Sequence, residues 1–399
     1  MMKRVVVVGT GYVGLPAALL LARAGHPVLA VDLNENIVRA INDGVLLIAE
    51  NELKSVMEHP AVRENLRAST GVEQGDVYLI AVPTPVHPRK KVADLSYVAS
   101  AMESIVPHLK PGALIILEST VPPLTCKEVL APMIREKTGL RVPEDVMVAH
   151  CPERILPGDI FYEIVHNDRI IGGMDKASSE AAREVYASFV EGELLMTDDV
   201  TAELCKLMEN TYRDVNIALA NEMSEVAKTL GVDWKEAFSY ANRHPRVSYL
   251  SPGIGVGGHC IPIDPWFIRE VDPINCRLIE LARRINDGRP HQIAASIRRS
   301  LADIADPRVV AIGAAYKADT EDKRESPALE VVAALREDGY RVDHYDPHIK
   351  GMEIPSLVEA VKGADFLAIL VNHGSVRKEL AENRQAVEAA MRTPRIVVY

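Results

Sequence analysis

The chain has 399 residues, 48% of them hydrophobic and 25% charged, the profile of a globular protein rather than a disordered or fibrous one. Its length implies two to three domains, because single cores stop growing beyond roughly 250–300 residues. Lys and Arg total 45 against 56 Asp and Glu, a formal net charge of -11, which argues against a general nucleic-acid binder. A small anionic ligand stays open, since a local cluster of Arg and Lys can bind one inside an acidic protein. Cys126, Cys151, Cys205, Cys260 and Cys276 are scattered, with no Cys-x-x-Cys pair. Neither a zinc ribbon nor a thioredoxin-type site is supported, and no metal is expected. An odd number of cysteines suits a reducing compartment. The valine run after Met-Met-Lys-Arg is too short for a signal peptide, and no stretch nears the roughly 20 apolar residues of a membrane span. The expectation is a cytoplasmic protein.

Residues 4–32 carry the clearest local signal. Val5 to Val8 is an uninterrupted β-branched run, as a strand buried on both faces of a parallel sheet requires. A glycine turn follows, then a predicted helix over Leu15–Ala24 that Gly25 stops. Val28 to Val31 is a second strand, ending at Asp32, and completes a βαβ unit. Val77–Val82, Ala113–Leu117 and Val146–His150 read as further strands. Each is closed by polar or turn residues: Pro83-Thr84-Pro85, Glu118-Ser119-Thr120-Val121-Pro122 and Cys151-Pro152-Glu153-Arg154. Open α/β sheets place ligands at such carboxyl ends.

From Asp198 to Leu230 there is neither Gly nor Pro, and Leu204, Leu207, Met208, Thr211, Val215, Ala218, Leu219 and Val226 recur at helical spacing. This predicts one helix of roughly 45 Å. Helices that long span two lobes or support a dimer interface. A glycine-rich loop, Gly253 to Gly258, comes next. Strands at Val309–Ile312, Tyr340–Tyr345 and Phe366–Val371, with a helix over Pro327–Arg336, predict a second α/β region. The expected fold class is α/β: two Rossmann-like doubly wound domains joined by a long central helix, divided at 1–197, 198–304 and 305–399.

Gly9-x-Gly11-x-x-Gly14 matches a dinucleotide fingerprint. The first glycine permits the turn, the second lets backbone approach a pyrophosphate, and the third lets helix meet strand. The helix N-terminus then offers N–H groups to phosphates. The pattern alone also fits an unrelated tight turn. Here it follows a strand and precedes a helix, and Asp32 closes the next strand 18 residues after Gly14. A carboxylate there accepts from a ribose 2′-hydroxyl and repels a 2′-phosphate. Leu33-Asn34 supplies no Arg for that phosphate, so NAD is expected over NADP.

Gly255-Val256-Gly257-Gly258-His259-Cys260 holds a cysteine behind a flexible loop, with Asp264 four residues on, near a predicted helix start at Pro265. Such a cysteine can be held close to a ligand as an activated thiol, although a single cysteine is more often buried and inert. Lys206, Asn210 and Arg213 stand at i, i+4 and i+7 of the long helix and share a face. They suit an oxyanion and a phosphate or carboxylate; the competing reading is a solvated polar stripe. Lys317 and Arg324 precede a helix start that Ser326 is placed to cap, and suit phosphates there; the competing reading is an ordinary charged loop. Arg243, His244 and Arg246 form a basic knot before the cysteine loop.

Together these segments resemble the nucleotide-sugar 6-dehydrogenases, the family of UDP-glucose and GDP-mannose dehydrogenases. The resemblance covers essentially the whole chain. It rests on Gly9–Gly14, Val82-Pro83-Thr84-Pro85, Ser119-Thr120-Val121-Pro122, Pro152-Glu153, Lys206-x-x-x-Asn210, Gly257-Gly258-His259-Cys260-x-x-x-Asp264 and Lys317-x-x-Thr320-x-x-x-Arg324-x-Ser326-Pro327. His259 and Arg154 depart from the UDP-glucose branch, where Ser and a bulky apolar residue are usual. The segments 242–247 and 257–267 look most like the branch acting on UDP-N-acetyl-D-mannosamine. UDP-N-acetylglucosamine and UDP-glucose are the alternatives within the same chemistry. A two-electron β-hydroxyacid dehydrogenase and a non-catalytic NAD sensor are the alternatives outside it.

The resemblance implies a four-electron, NAD-dependent oxidation of C6 to a carboxylate, as in polysaccharide biosynthesis, by a homodimer or higher oligomer. Cys260 is implied as nucleophile. Lys206 and Asn210 would serve the oxyanion and proton transfer, and Asp264, Glu153 and Thr120 would manage water and protons. Gly9, Gly11, Tyr12, Val13, Gly14, Asp32, Thr84, Thr120 and Arg324 would contact NAD. Arg154, Ile155, Lys206, Asn210, Arg213, His244, Arg246, Gly257, Tyr316 and Lys317 would line the UDP-sugar.

Overall fold

The computed structural model describes residues 2–46, 51–154, 160–353 and 355–399. The chain divides into two compact units. The first is Met1–Glu209 with Trp266–Pro273; the second is Asn210–Pro265 with Ile274–Tyr399.

The first unit is built on β1 (Val5–Val8), β2 (Val28–Val31), β3 (Leu66–Ser69), β4 (Val77–Ile80), β5 (Leu114–Leu117), β6 (Met147–His150), β7 (Arg169–Gly173) and β8 (Leu194–Asp198). They form one sheet in the order β3-β2-β1-β4-β5-β6-β7-β8. Every neighbouring pair is parallel except β6 and β7. The strand order reverses beside β1, so a ligand crevice is expected at the carboxyl ends of β1 and β4. The valine run of β1 follows from its position. Val5 and Val7 enter the core on one face of the sheet, and Val6 and Val8 the core on the other. With no wet face, the strand has no polar alternation. Helices α1 (Gly14–Arg23) and α2 (Lys176–Tyr186) pack in the first of these cores.

The second unit repeats this logic on a smaller scale. Strands β9 (Arg308–Ile312), β10 (Arg341–Tyr345), β11 (Phe366–Ile369) and β12 (Arg395–Val398) form a parallel sheet in the order β10-β9-β11-β12. Val309 and Ala311 face one core, Val310 and Ile312 the other. The fold class is thus the expected one. The expected strands appear within a few residues of their predicted ends; β3, β7, β8 and β12 are additions to that reading.

The long helix is present as α3 (Asp199–Thr229), 31 residues and about 45 Å at the usual rise. Its residues up to Glu209 belong to the first unit and those from Asn210 to the second. Helices α4 (Asp264–Val271), α5 (Arg277–Leu301) and α6 (Pro327–Glu337) follow. Within the second unit α3 and α5 meet through buried polar groups. Arg283 Nη1 donates to Asp214 Oδ1 at 2.5 Å, and Asn286 Nδ2 donates to the same oxygen at 2.8 Å. Among the described residues no helix is long and apolar enough to cross a membrane.

Candidate active site

The turn after β1 separates its glycines by what they touch. Gly9 has φ +93°, and a Cβ there would overlap the Ala81 carbonyl. A Cβ on Gly14 would overlap the Gly9 carbonyl. Packing alone therefore demands both. Gly11 has no protein atom within 4 Å of its would-be Cβ, which leaves its backbone open to a ligand. Helix α1 then starts with no side-chain cap and no acidic residue in its first turn, a bare N-terminus suited to phosphate. Asp32 Oδ2 accepts from Thr10 N at 3.2 Å and from Thr10 Oγ1 at 2.7 Å; Oδ1 accepts from Asn34 N at 2.9 Å. A carboxylate has about four acceptor sites, so one remains on this half-buried group. Tyr12 is exposed.

Along the same sheet edge, Thr84 Oγ1 donates to Thr120 O at 2.6 Å, and Ser119 Oγ bridges the Val82 backbone, accepting from N and donating to O. Past β6, Glu153 is nearly buried and accepts from Arg154 N at 2.7 Å and from Arg169 Nη2. Arg154 Nη1 pairs with Glu209 at 2.8 Å. Lys206 is buried on α3, in the same unit as His150. Burial, helped by the Lys206 cation, lowers the His150 imidazole to about 3, so it is neutral. One turn earlier, Glu203 accepts from Leu124 N at 2.6 Å and Cys126 N at 2.9 Å. Burial pushes that carboxyl up, to about 7.

The cysteine loop lies in the second unit and is held from both ends. Gly253 N donates to Asn221 Oδ1 at 2.9 Å, and Gly253 O accepts from Arg289 Nε at 2.9 Å. Further along, Gly258 N donates to Arg324 O at 3.2 Å. Cβ atoms on Gly257 or Gly258 would overlap Tyr316, and one on Gly257 also Pro327. Only glycine lets the loop run this close to β9's following segment. Cys260 emerges exposed, and its carbonyl accepts from Asp264 N at 2.9 Å as α4 begins. Asp264 is buried, and its Oδ2 accepts from Asn210 Nδ2 at 2.6 Å. An exposed thiol, a buried carboxylate and a bound amide are a set suited to covalent capture of a carbonyl.

Family models match nearly the full length. Residues 3–190 match the NAD-binding domain of the UDP-glucose/GDP-mannose dehydrogenase family, 200–288 its central domain, and 310–398 its UDP-binding domain. The chain belongs to this family. It is 45% identical over 378 residues to a UDP-N-acetyl-D-mannosamine dehydrogenase of Methanococcus maripaludis, covering 93% of this chain and 86% of that one. It is 43% identical over 390 residues to an NDP-N-acetyl-D-galactosaminuronic acid dehydrogenase of Ralstonia nicotianae, covering 94% and 92%. The solved UDP-D-ManNAc dehydrogenase of Pyrococcus horikoshii superposes with a TM-score of 0.93 at 38% identity, over 99% of this chain and 94% of that one.

As a member of the family the chain is an NAD-dependent nucleotide-sugar dehydrogenase, and the open turn at Gly11 and the bare start of α1 fit that cofactor. Several expected site residues stand together: Thr84 with Thr120, Asn210 with Asp264, and Gly257 with Tyr316. Others do not. Arg213, His244, Arg246 and Lys317 are exposed. The Arg324 guanidinium pairs with Asp322 at 2.7 Å. Ile155 lies outside the described residues. One expectation is corrected. Ser326 stands at the N-cap of α6, but its hydroxyl donates to Ala315 O at 3.1 Å, so it fastens the preceding loop instead of capping the helix. Sequence reasoning missed Glu118, Arg169, Tyr186 and Glu203. Only Glu203 carried a local signal, three residues before Lys206 on the buried face of α3.

Proposed function

We propose that the chain oxidises the C6 hydroxymethyl of UDP-N-acetyl-D-mannosamine to the carboxylate, through a Cys260 thiohemiacetal and thioester. NAD supplies the two-electron acceptor for each of the two oxidations. C6 first gives up a hydride as its hydroxyl gives up a proton, leaving an aldehyde. The Cys260 thiolate adds to that carbon, and the resulting thiohemiacetal gives up the second hydride to become a thioester. Water adds, the C–S bond breaks, and the uronate leaves. The covalent bond keeps the aldehyde from escaping between oxidations.

Lys206 is assigned to proton transfer or oxyanion stabilisation, with Asn210 fixing Asp264. Asp264, Glu153 and Thr120 are assigned to water and protons. Tyr12, Val13, Asp32, Thr84, Thr120 and Arg324 are assigned to NAD, and Arg154, Arg213, His244, Arg246, Gly257, Tyr316 and Lys317 to the UDP-sugar. The division at 1–197, 198–304 and 305–399 is the working one for cofactor, central and UDP-sugar parts. The observation that carries this reading is Cys260: exposed at the end of a loop whose Gly257 and Gly258 leave no room for a side chain, four residues before a buried, amide-bound Asp264.

We also infer a homodimer. Tyr212, Leu219 and Val226 are exposed at heptad spacing on α3, an apolar stripe suited to a second copy. The reducing compartment that NAD and four buried or half-buried cysteines favour is the cytoplasm.

The test is a panel of UDP-linked N-acetylmannosamine, N-acetylglucosamine, N-acetylgalactosamine and glucose, scored for NADH. About two NADH per sugar are expected, with the mannosamine substrate fastest. A yield of one would replace the covalent scheme with a two-electron oxidation. Preference for the galactosamine sugar would move the substrate toward that of the Ralstonia relative. Cys260→Ala should form no uronate yet still bind NAD.

A further inference from the structure

Glu153 does not stand alone past β6. Strand β7 runs antiparallel to β6, pairing Ala149 with Gly173 and His150 with Gly172. Continued outward, that register sets Glu153 opposite Arg169, the first residue of β7. A parallel β7 would have carried Arg169 to the far edge of the sheet. This antiparallel pairing thus brings a cation to the carboxyl ends of the strands.

Arg169 is buried and its fork is divided between two carboxylates. Nη2 donates to Glu153 Oε2, and Nη1 donates to Glu118 Oε1 at 3.0 Å. Tyr186, from α2, donates its hydroxyl to the same Glu118 oxygen at 2.6 Å, and its ring lies 4.4 Å from the guanidinium. Three side chains from three segments therefore fix one guanidinium plane. On the other side, Glu153 Oε1 accepts from Arg154 N. Each Glu153 oxygen spends one acceptor site on the protein and keeps one.

We propose that Arg169, anchored by Glu118 and Tyr186, is a positioning residue that holds Glu153 as an oriented carboxylate for thioester hydrolysis. This rests on the reading of Glu153 given above. In that step a water O–H proton passes to an open acceptor site of Glu153. The water oxygen bonds to the acyl carbon, the C–S bond breaks, and the Cys260 thiolate departs. A carboxylate locked at both oxygens is a water-orienting base, and it needs no rotation before each turnover. Glu118 is the anchor: burial pushes its carboxyl up, to about 7, against the pull of Arg169, and a buried guanidinium fork needs both its acceptors.

The experiment uses the full-length enzyme with NAD and UDP-N-acetyl-D-mannosamine. Arg169→Lys keeps the charge but cannot fork. It should lower kcat about tenfold or more, leave both KM values within about threefold, and accumulate an acyl adduct on Cys260, seen by intact mass after quenching. Glu153→Gln should accumulate the same adduct, and the double variant should be no slower than Glu153→Gln. Glu118→Gln, which preserves volume and an acceptor, should show the adduct at a lower level and stands in if Arg169→Lys does not fold. A merely structural role for Arg169 would slow both oxidations and trap nothing. Wild-type turnover, slowing without adduct, or additivity with Glu153→Gln overturns the proposal. Slowing without adduct in Glu153→Gln itself would instead fell the hydrolysis role of Glu153.

Discussion

The turns that follow β1 and β9 are built alike and used differently. Each opens with a left-handed glycine: Gly9 at φ +93° and Gly313 at φ +102°. Each glycine N–H bonds the last carbonyl of the neighbouring strand, Val31 at 2.9 Å and Tyr345 at 2.7 Å. Each neighbouring strand is followed at once by an aspartate that ties the turn down. The difference lies in what the aspartate has left. Asp346 is fully buried and accepts four bonds, from Ala314 N, Ala315 N, His348 N and His373 Nε2. Asp32 accepts three and is half-buried. One carboxylate is saturated by its own protein; the other keeps an acceptor for a ligand. After β1 the helix starts at Gly14, whereas after β9 it waits until Pro327, and the added loop carries Tyr316, Lys317 and Arg324. The same strand–turn–strand frame thus serves as a cofactor cradle in one unit and as a braced loop in the other.

Asp346→Asn is the severest test of that contrast. Its side chain would present an amide to donors that need acceptors, and a loss of about 3 kcal/mol or more is expected in denaturant unfolding. Burial opposes the Asp346 charge, but His373 and the backbone N–H groups outweigh it and hold the carboxyl well below the usual range. A depressed carboxyl stabilises above its ordinary pKa of about 4. The gap between wild type and variant should therefore be constant from pH 6 to 8 and shrink as the pH falls below about 4. Asp32→Asn should cost under about 1 kcal/mol and instead weaken NAD binding about tenfold. Equal destabilisation by the two would break the comparison.

Gly313→Ala and Gly9→Ala come next. A Cβ at Gly313 would overlap Val371, and one at Gly9 the Ala81 carbonyl, both on left-handed backbone. About 2–4 kcal/mol is expected for each. Folded Gly313→Ala should bind NAD as wild type does; weaker binding there would mean that the second turn also shapes the cofactor site.

What the sequence disclosed divides along the same physical line. β1 and β9 were legible because a strand buried on two faces needs an unbroken apolar run, and α3 because a long stretch lacks Gly and Pro. β3 and β8 were not, since their part-exposed residues carry neither signal. β7 hid behind a buried arginine and two glycines. The glycine turn and the cysteine loop were readable because their constraints lie within a few residues. Arg169 was not: its partner Glu118 is 51 residues away, and only the antiparallel turn of β7 brings it to Glu153. Asp346 looked like an ordinary loop acid because its four donors come from three separate segments.

The smallest effect on stability, and the sharpest on function, belongs to Gly11→Ala. Gly9 and Gly14 are required by contacts inside the protein, so their loss confounds folding with binding. Gly11 has none within 4 Å and no left-handed φ, so a methyl group there strains nothing. Stability should stay within about 0.5 kcal/mol of wild type. The methyl would instead occupy the space in which a pyrophosphate meets the turn, and NAD affinity should fall about tenfold or more. Isothermal titration beside thermal melts separates the two readings. Unchanged affinity at unchanged stability would mean that the turn's openness at Gly11 is not where the cofactor lies, and the distinction between cradle and braced loop would lose its clearest support.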